Sequence, residues 1–190
     1  MKLSYFIKNK EIHVFTDSGF SNIYYLNVSR ETSDKIVPCI KEAIGKRSFD
    51  EITNIVYQTG PLTFTTARII FALGKGITLS NPTIKFTGIS SFLTYTTIAT
   101  SKSITGTIAI STMCGSFYKN SYANGILTNE NYSDIHEPIY YEDDEIFQNI
   151  NLAQIQTEIL NSTIALQNQK YICQGINVLY TTSPNYVAKK

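Results

Sequence analysis

The chain has 190 residues, of which 43% are hydrophobic and 16% are charged, and its formal net charge is +1. This composition excludes an intrinsically disordered chain and is sufficient for one sizeable core or for two small lobes. The balanced charge excludes a global field that recruits nucleic acid, so any such contact has to be local or made by a partner.

The cysteines and the N-terminus bear on location. Cys39, Cys114 and Cys173 are odd in number, lie far apart and form no CxxC pair, which is typical of reduced thiols. The N-terminus lacks the basic-then-apolar pattern of a signal peptide, and no apolar run reaches membrane-spanning length. We therefore expect a cytoplasmic protein.

Three short strands are predicted at the start of the chain, over residues 2–7, 11–16 and 22–28. They are joined by turn-forming residues, and together they predict an antiparallel meander.

A helix is predicted over residues 29–45, because its apolar residues recur at helical spacing on one side. Thr32 or Ser33 is expected to cap it. Pro38 lies inside the helix and is expected to kink it.

A strand, a turn and a helix follow as one unit. A predicted strand over residues 51–58 leads into a Gly60-Pro61 turn and then into an apolar helix over residues 62–80. A helix that is apolar on most of its surface must be buried or bind a partner. Threonines at its start are able to cap it, and such a helix start is able to receive an anion. A corner that binds no ligand is the alternative.

The remaining elements alternate. A strand over residues 83–87 and a helix over residues 91–100 are followed by two strands over residues 103–111 and 116–123.

The last third begins with a polar stretch over residues 124–151 and continues with a predicted helix over residues 151–169 and strands over residues 171–180. The acidic run Glu142–Glu145 invites a metal-binding interpretation, but one run of adjacent carboxylates is typical of a solvated loop or a helix N-terminus. The two histidines are isolated, so no metal site is predicted.

The segment Gly60–Gly76, GPLTFTTARIIFALGKG, resembles the signature of the TsaB (YeaZ) family, written roughly GPGSFTGxRIGxAxAKG. The matching positions are Gly60, Pro61, Phe64, Thr65, Arg68, Ile69, Ala72, Lys75 and Gly76. Three glycines of the signature are replaced, by Leu62, Thr66 and Ile70.

Weaker matches extend the resemblance toward both ends of the chain. They are Arg30, Ser33, Pro38, Pro184 and Tyr186. Residues 7–9 stand where the family has Asp-Thr-Ser at the end of its first strand. The loss of that carboxylate removes a hard oxygen ligand for a magnesium nucleotide.

The resemblance implies an α/β protein with the actin-like ATPase (ribonuclease H-like) fold, in which two small lobes of mixed sheet carry packed helices. Residues 1–100 would form the N-terminal lobe with the partner-binding helices. Residues 101–190 would form a smaller, shortened C-terminal lobe.

The function implied is that of a non-catalytic scaffold or activating subunit. It would bind a TsaD-type enzyme and support threonylcarbamoyl transfer to the adenosine next to the anticodon of tRNA. It would have no cofactor of its own, with ATP or ADP shared at the interface of the complex. A TsaE-type ATPase would be a further partner, the chain alone would form a homodimer, and tRNA would be reached only through the complex.

The partner interface implied by the resemblance consists of Arg30, Pro38, Gly60, Pro61, Phe64, Thr65, Arg68, Ala72 and Lys75. Gly60 and Arg68 are also the candidates for contact with a nucleotide there. Phe64 is the predicted anchor, and Arg68 the predicted partner of a carboxylate or phosphate. An intrachain salt bridge of Arg68 is the alternative.

Three other functions stay open. A degenerate homologue would only homodimerise. A kinase or ATPase of the same superfamily would need a first-strand aspartate, which is absent, and a second acidic residue at the lobe junction. A peptidase would need paired metal-binding histidines or a nucleophile triad, and the sequence nominates neither.

Overall fold

The computed structural model of the chain describes residues 1–28, 31–111, 117–127 and 138–176. The strands are β1 (Lys2–Lys8), β2 (Glu11–Thr16), β3 (Ser21–Tyr25), β4 (Asn54–Gly60), β5 (Lys85–Ser90), β6 (Gly106–Ser111), β7 (Phe117–Ala123), β8 (Ile126–Leu127), β9 (Ile139–Tyr141) and β10 (Ile172–Gln174). The helices are α1 (Thr32–Ile44), α2 (Phe64–Ser80), α3 (Ser91–Ser101), α4 (Leu152–Leu160) and α5 (Thr163–Gln167).

The first sheet has six strands in the order β10-β5-β4-β1-β2-β3. The predicted meander is present, because β1 pairs with β2 and β2 pairs with β3 in antiparallel register. β4 lies parallel to both β1 and β5, and β10 pairs with β5 in antiparallel register. The sheet is therefore mixed.

The second sheet has four strands in the order β8-β7-β6-β9. The strands predicted over residues 103–111 and 116–123 correspond to β6 and β7, which pair in antiparallel register at its centre, and the short strand β9 lies parallel to β6. The strands of the two sheets divide near residue 100 with one exception, since β10 comes late in the chain and joins the first sheet. The division into lobes over residues 1–100 and 101–190 stays a prediction.

The first sheet has a core on each face, as the pleat of β1 shows. Successive side chains of a strand point to opposite faces. Leu3, Tyr5 and Ile7 therefore lie in one core, which also contains side chains of α1 and α2. Phe6 lies in the other core, with side chains of α3, α4 and the second sheet. The alternation directs Lys8 to the same face as Phe6.

The helix predicted over residues 151–169 is divided in the structure. α4 ends at Leu160 and α5 begins at Thr163. Between them, the Ser162 hydroxyl donates to the Ile159 carbonyl at 2.8 Å. Serine and asparagine side chains compete with the backbone for such bonds, which explains the break at Asn161 and Ser162.

A mixed α/β architecture with two mixed sheets and packed helices is thus confirmed. Within the described ranges, none of the helices combines the length and the hydrophobicity needed to span a bilayer.

Candidate functional site

One side of α2 is exposed along its whole length. Phe64, Arg68, Phe71, Lys75 and Leu79 follow each other at intervals of three or four residues, so they share one face of the helix. We call these five residues the α2 stripe. Its apolar members are large and accessible, with exposed fractions of 44% for Phe64, 42% for Phe71 and 87% for Leu79.

The cations of the α2 stripe lie over its aromatic rings. The guanidinium carbon of Arg68 is 5.1 Å from the centroid of Phe64, and the ammonium of Lys75 is 5.5 Å from the centroid of Phe71. Both distances are within the range of cation–π attraction. In the part of the chain that the structure describes, Arg68 forms no ion pair. The alternative of an intrachain salt bridge therefore has no support among these residues.

Next to the stripe, α1 and α2 border an apolar groove of about 440 Å³. Val37 of α1 and Ile69, Ala72 and Leu73 of α2 are among its lining residues. Ala72 is exposed and connects the groove with the stripe. We call this feature the α1–α2 groove. Together the two features form a continuous apolar surface. The α2 stripe is positively charged, because it contains Arg68 and Lys75 and α2 contains no acidic residue.

The start of α2 is capped by a threonine, as predicted. Thr63 is the N-cap, and its hydroxyl accepts a hydrogen bond from the backbone N–H of Thr66 at 3.2 Å. Gly60 precedes it with φ of 128°, a region in which a side chain is strained. Gly60 is buried, and its carbonyl accepts a hydrogen bond from the Ser90 hydroxyl at 3.3 Å.

The residues that replace the signature glycines point away from the α2 stripe. Leu62 and Ile70 are buried in the core between the first sheet and its helices. The hydroxyl of Thr66 lies 2.9 Å from that of Thr63 at the helix start. The replacements therefore change the packing beneath α2 and leave its exposed side intact.

The structure brings together four of the predicted interface residues. Phe64, Arg68 and Lys75 lie in the α2 stripe, and Ala72 lies beside it. The sequence analysis missed Phe71 and Leu79, although their helical spacing from Phe64 signals the same face.

The other predicted residues lie elsewhere. Thr65 is exposed in the first turn of α2, and Pro38 is exposed on α1. Gly60 and Pro61 lie at the base of the helix, where Pro61 lines a cleft. Arg30 lies outside the described residues, as do the matches at Pro184 and Tyr186.

That cleft has a volume of about 260 Å³ and lies where the end of β1 and the starts of α2 and α3 meet the second sheet. Lys8 lines it and is only 5% exposed, and its ammonium lies 3.5 Å from the Asp143 carboxylate. Glu142 accepts a hydrogen bond from the backbone N–H of Ser111 at 2.9 Å. Burial raises the pKa of Glu142, and the neighbouring Asp143 adds to the effect.

The acidic run thus consists of residues with separate structural partners. Asp144 accepts a hydrogen bond from the backbone N–H of Tyr141 at 2.8 Å, while Asp143 faces Lys8. In the described ranges, no group of three or more metal-ligating side chains is assembled.

A magnesium nucleotide does not fit the end of β1. Residues 7–9 contribute no carboxylate, and Lys8 places an ammonium there instead of a hard oxygen ligand. Glu142 and Asp143 do provide acidic residues between the sheets, but Asp143 is already paired with Lys8.

No protein-family model matches the chain, and no curated protein matches it. Solved structures do match, among them the following two. YeaZ from Pseudomonas aeruginosa aligns with a TM-score of 0.53 and 12% identity, over 71% of this chain and 66% of that one. An uncharacterized protein from Pseudomonas aeruginosa, with similarity to peptidase YEAZ, aligns with a TM-score of 0.51 and 13% identity, over 66% and 61%.

The chain has a YeaZ-like fold. Because YeaZ structures belong to the actin-like ATPase fold, the predicted fold class is confirmed. The match to this YeaZ-like fold spans less than two thirds of the length of either solved structure.

Proposed function

We propose that the chain is a non-catalytic scaffold subunit that binds a TsaD-type enzyme through the α2 stripe and the α1–α2 groove. In this role it would support threonylcarbamoyl transfer to the adenosine next to the anticodon of tRNA. A TsaE-type ATPase, an ATP or ADP molecule at the interface and a homodimer in the absence of the partner belong to the same proposal. The observation that carries it is the exposed apolar side of α2.

The surface has the properties of a binding face. Exposed apolar area that is continuous over a helix and a neighbouring groove is unfavourable in water and is stabilised by burial against a partner. Large aromatic side chains and arginine dominate the energetics of such interfaces. Phe64, Phe71 and Arg68 supply both kinds of residue on one helix face.

The charge of the surface indicates the partner's chemistry. Arg68 and Lys75 are exposed, and α2 carries no carboxylate that would balance them. A partner surface that combines apolar residues with carboxylates would complement this face. A second copy of the chain would bury the apolar area but would bring the same cations together, so the proposal predicts that a hetero-complex is preferred.

The alternative of a homologue that only homodimerises rests on the same apolar surface. The two are separated by size-exclusion chromatography with light scattering, on the chain alone and mixed with the TsaD-type protein of the same organism. The scaffold proposal predicts a heterodimer that forms at the expense of the homodimer.

The variant Phe64→Asp tests whether the α2 stripe forms the interface. A carboxylate at the anchor position would be buried without a partner in the complex, which strongly disfavours association. Leu166→Asp is the matched control, since Leu166 is 70% exposed on α5 and lies outside the stripe and the groove. We expect Phe64→Asp to abolish the heterodimer and Leu166→Asp to leave it intact. A homodimer that persists while no hetero-complex forms would support the degenerate homologue, and equal effects of both variants would show that the face is misassigned.

A further inference from the structure

The cleft between the sheets is separate from the α2 stripe and has a chemistry of its own. Its volume of about 260 Å³ lies below the about 300–1,000 Å³ of pockets for drug-sized ligands. Two helices begin at its wall, because Thr63 and Thr66 of the α2 start and Ser91 of the α3 start line it. Helix starts present backbone N–H groups and the positive end of the helix dipole.

Lys8 is a buried cation whose ion-pair partner is exposed to solvent. Its side chain is 5% exposed, while that of Asp143, its ion-pair partner among the described residues, is 70% exposed. The separation of 3.5 Å between ammonium and carboxylate is long for a charge-assisted hydrogen bond. A buried ammonium is costly unless it is paired and hydrogen-bonded, so Lys8 is able to accept a better anionic partner.

Two hydroxyl groups in the cleft wall are buried and have no hydrogen-bond partner among the residues that the structure describes. They are the Ser91 hydroxyl, on a residue that is 2% exposed, and the Tyr95 hydroxyl, on a residue that is 1% exposed. Buried polar groups in native proteins are almost always hydrogen-bonded, and an exception calls for an explanation. Both residues line the same cavity as Lys8, so a bound ligand would satisfy them.

The helix that carries these hydroxyls is open at its start. Ser90 is the N-cap of α3, but its side chain makes no capping hydrogen bond, since its hydroxyl donates to the Gly60 carbonyl. The first turn of α3 therefore faces the cleft without a side-chain cap.

The carboxylates of the cleft set a limit on what binds. Asp143 forms an ion pair with Lys8 from the solvent side, and the Glu142 carboxylate accepts a hydrogen bond from the backbone N–H of Ser111. Glu11 and His13 lie near enough to Lys8 to interact with its charge. An incoming anion has to displace the exposed Asp143 and meets the half-buried Glu142, whose pKa is raised by burial.

We propose that this cleft binds the oxyanion group of a small metabolite, a carboxylate or a phosphate, without a metal ion. Lys8 supplies the positive charge, the Ser91 and Tyr95 hydroxyls donate hydrogen bonds, and Asp143 is the exposed carboxylate that the ligand displaces. The site uses none of the residues of the stripe, so it does not rest on the proposed scaffold function.

The test is isothermal titration calorimetry and thermal unfolding of the full chain with inorganic phosphate, sodium acetate or metal-free ATP, each at the same ionic strength. We expect saturable binding of phosphate or acetate and a rise in melting temperature with its concentration. Phosphate binding without acetate binding identifies a phosphate ligand, and the reverse identifies a carboxylate. Saturable binding of ATP alone would overturn the assignment to a small metabolite.

Four variants locate the site. Lys8→Met is expected to abolish binding, whereas Lys10→Met, at an exposed lysine two residues away, is expected to retain it. Asp143→Asn is expected to tighten binding, because it removes the competing charge. Ser91→Ala provides a second test of the binding site in case Lys8→Met does not fold. It is expected to weaken binding by about tenfold while stabilising the unliganded chain.

Several results would overturn the proposal. The wild-type chain would show no saturable response to phosphate or acetate, or Lys8→Met would bind like Lys10→Met. An Asp143→Asn variant with unchanged or weaker affinity would show that Asp143 does not compete with the ligand. A Ser91→Ala variant with full affinity would show that the buried hydroxyl has no part in binding.

Discussion

The side-chain amide of Gln58 forms two hydrogen bonds with the backbone of Ile7. Its Nε2 donates to the Ile7 carbonyl at 2.8 Å, and its Oε1 accepts from the Ile7 N–H. The parallel pairing of β1 and β4 runs from Lys2 with Asn54 to Tyr5 with Tyr57, so Gln58 continues it with a side chain. This clamp fixes the end of β1 and thereby the direction of Lys8.

We expect Gln58→Leu to lower the free energy of unfolding by about 2–4 kcal/mol, since it leaves two buried backbone groups unpaired. Urea unfolding followed by circular dichroism measures the change. Gln154→Leu is the control, because the Gln154 amide donates to the exposed Glu158 carboxylate, and we expect a change within about 0.5 kcal/mol. Equal stabilities of the two variants would contradict the structural role of the clamp.

His13 is predicted to make stability depend on pH. It is 2% exposed, its Nε2 lies 3.0 Å from the Glu11 carboxylate, and its Nδ1 accepts the backbone N–H of Leu152 at 3.2 Å. Burial lowers the pKa of His13 below its ordinary value of 6.5, although Glu11 opposes the shift. Protonation at Nδ1 would turn the acceptor of the Leu152 bond into a donor.

The direction in which stability changes with pH follows from the number of protons bound by the folded and unfolded chains. With the folded pKa below the unfolded one, the unfolded chain binds more protons between the two values, so stability rises with pH in that interval. The contribution is complete above pH 6.5 and is lost as the pH falls from 6.5 through the folded pKa. Urea unfolding between pH 7.5 and 5 is expected to show this loss, and His13→Gln to flatten it. A slope that His13→Gln leaves unchanged would assign it to another group.

Restoring the signature glycine at position 70 alone is predicted to destabilise the protein strongly. Ile70 is 1% exposed in the core beneath α2, so Ile70→Gly leaves a cavity and also weakens the helix. We expect a loss of about 4 kcal/mol or more in the free energy of unfolding. Ala72→Gly, at an exposed position of the same helix, is expected to cost about 1 kcal/mol. Similar losses in both variants would mean that Ile70 contributes little to the core.

Arg68 is predicted to contribute charge to the partner complex. Arg68→Glu is expected to weaken binding to a TsaD-type protein by tenfold or more and to reverse its dependence on salt, because it replaces attraction by repulsion. Lys85→Glu is the control, since Lys85 is exposed at the start of β5. Calorimetry at low and high salt measures both variants. Equal affinities of Arg68→Glu and Lys85→Glu for the TsaD-type protein would exclude an electrostatic role for Arg68.

Local patterns predicted much of the fold. The meander is encoded by alternation and short turns, and β2 has the predicted bounds, Glu11–Thr16. α2 was predictable because Thr63 caps it and its apolar residues persist to Ser80. The exposed residues Phe64, Arg68 and Lys75 followed from the motif, whereas Phe71 was missed because it lies at a variable position of that motif.

The cleft was not predictable from local patterns. Lys8 looked like a turn residue, but β1 includes it, and the pleat directs its side chain between the sheets. Its partner Asp143 follows β9 in the second sheet, so the pair exists only after both sheets have formed. The Ser91 hydroxyl likewise lacks a partner within the described part of the chain only because α3 is buried.

Strand β10 has a consequence for synthesis. β5 is flanked by β4 on one side. Among the described residues, its other side pairs with residues 172–174, which leave the ribosome after the strands of the second sheet. Until then the nascent chain presents an open backbone edge next to buried apolar strands, and such edges template pairing with other chains. The short β10 segment therefore acts as a late closure against aggregation, and chains released before residue 172 are expected to depend on chaperones to remain in solution.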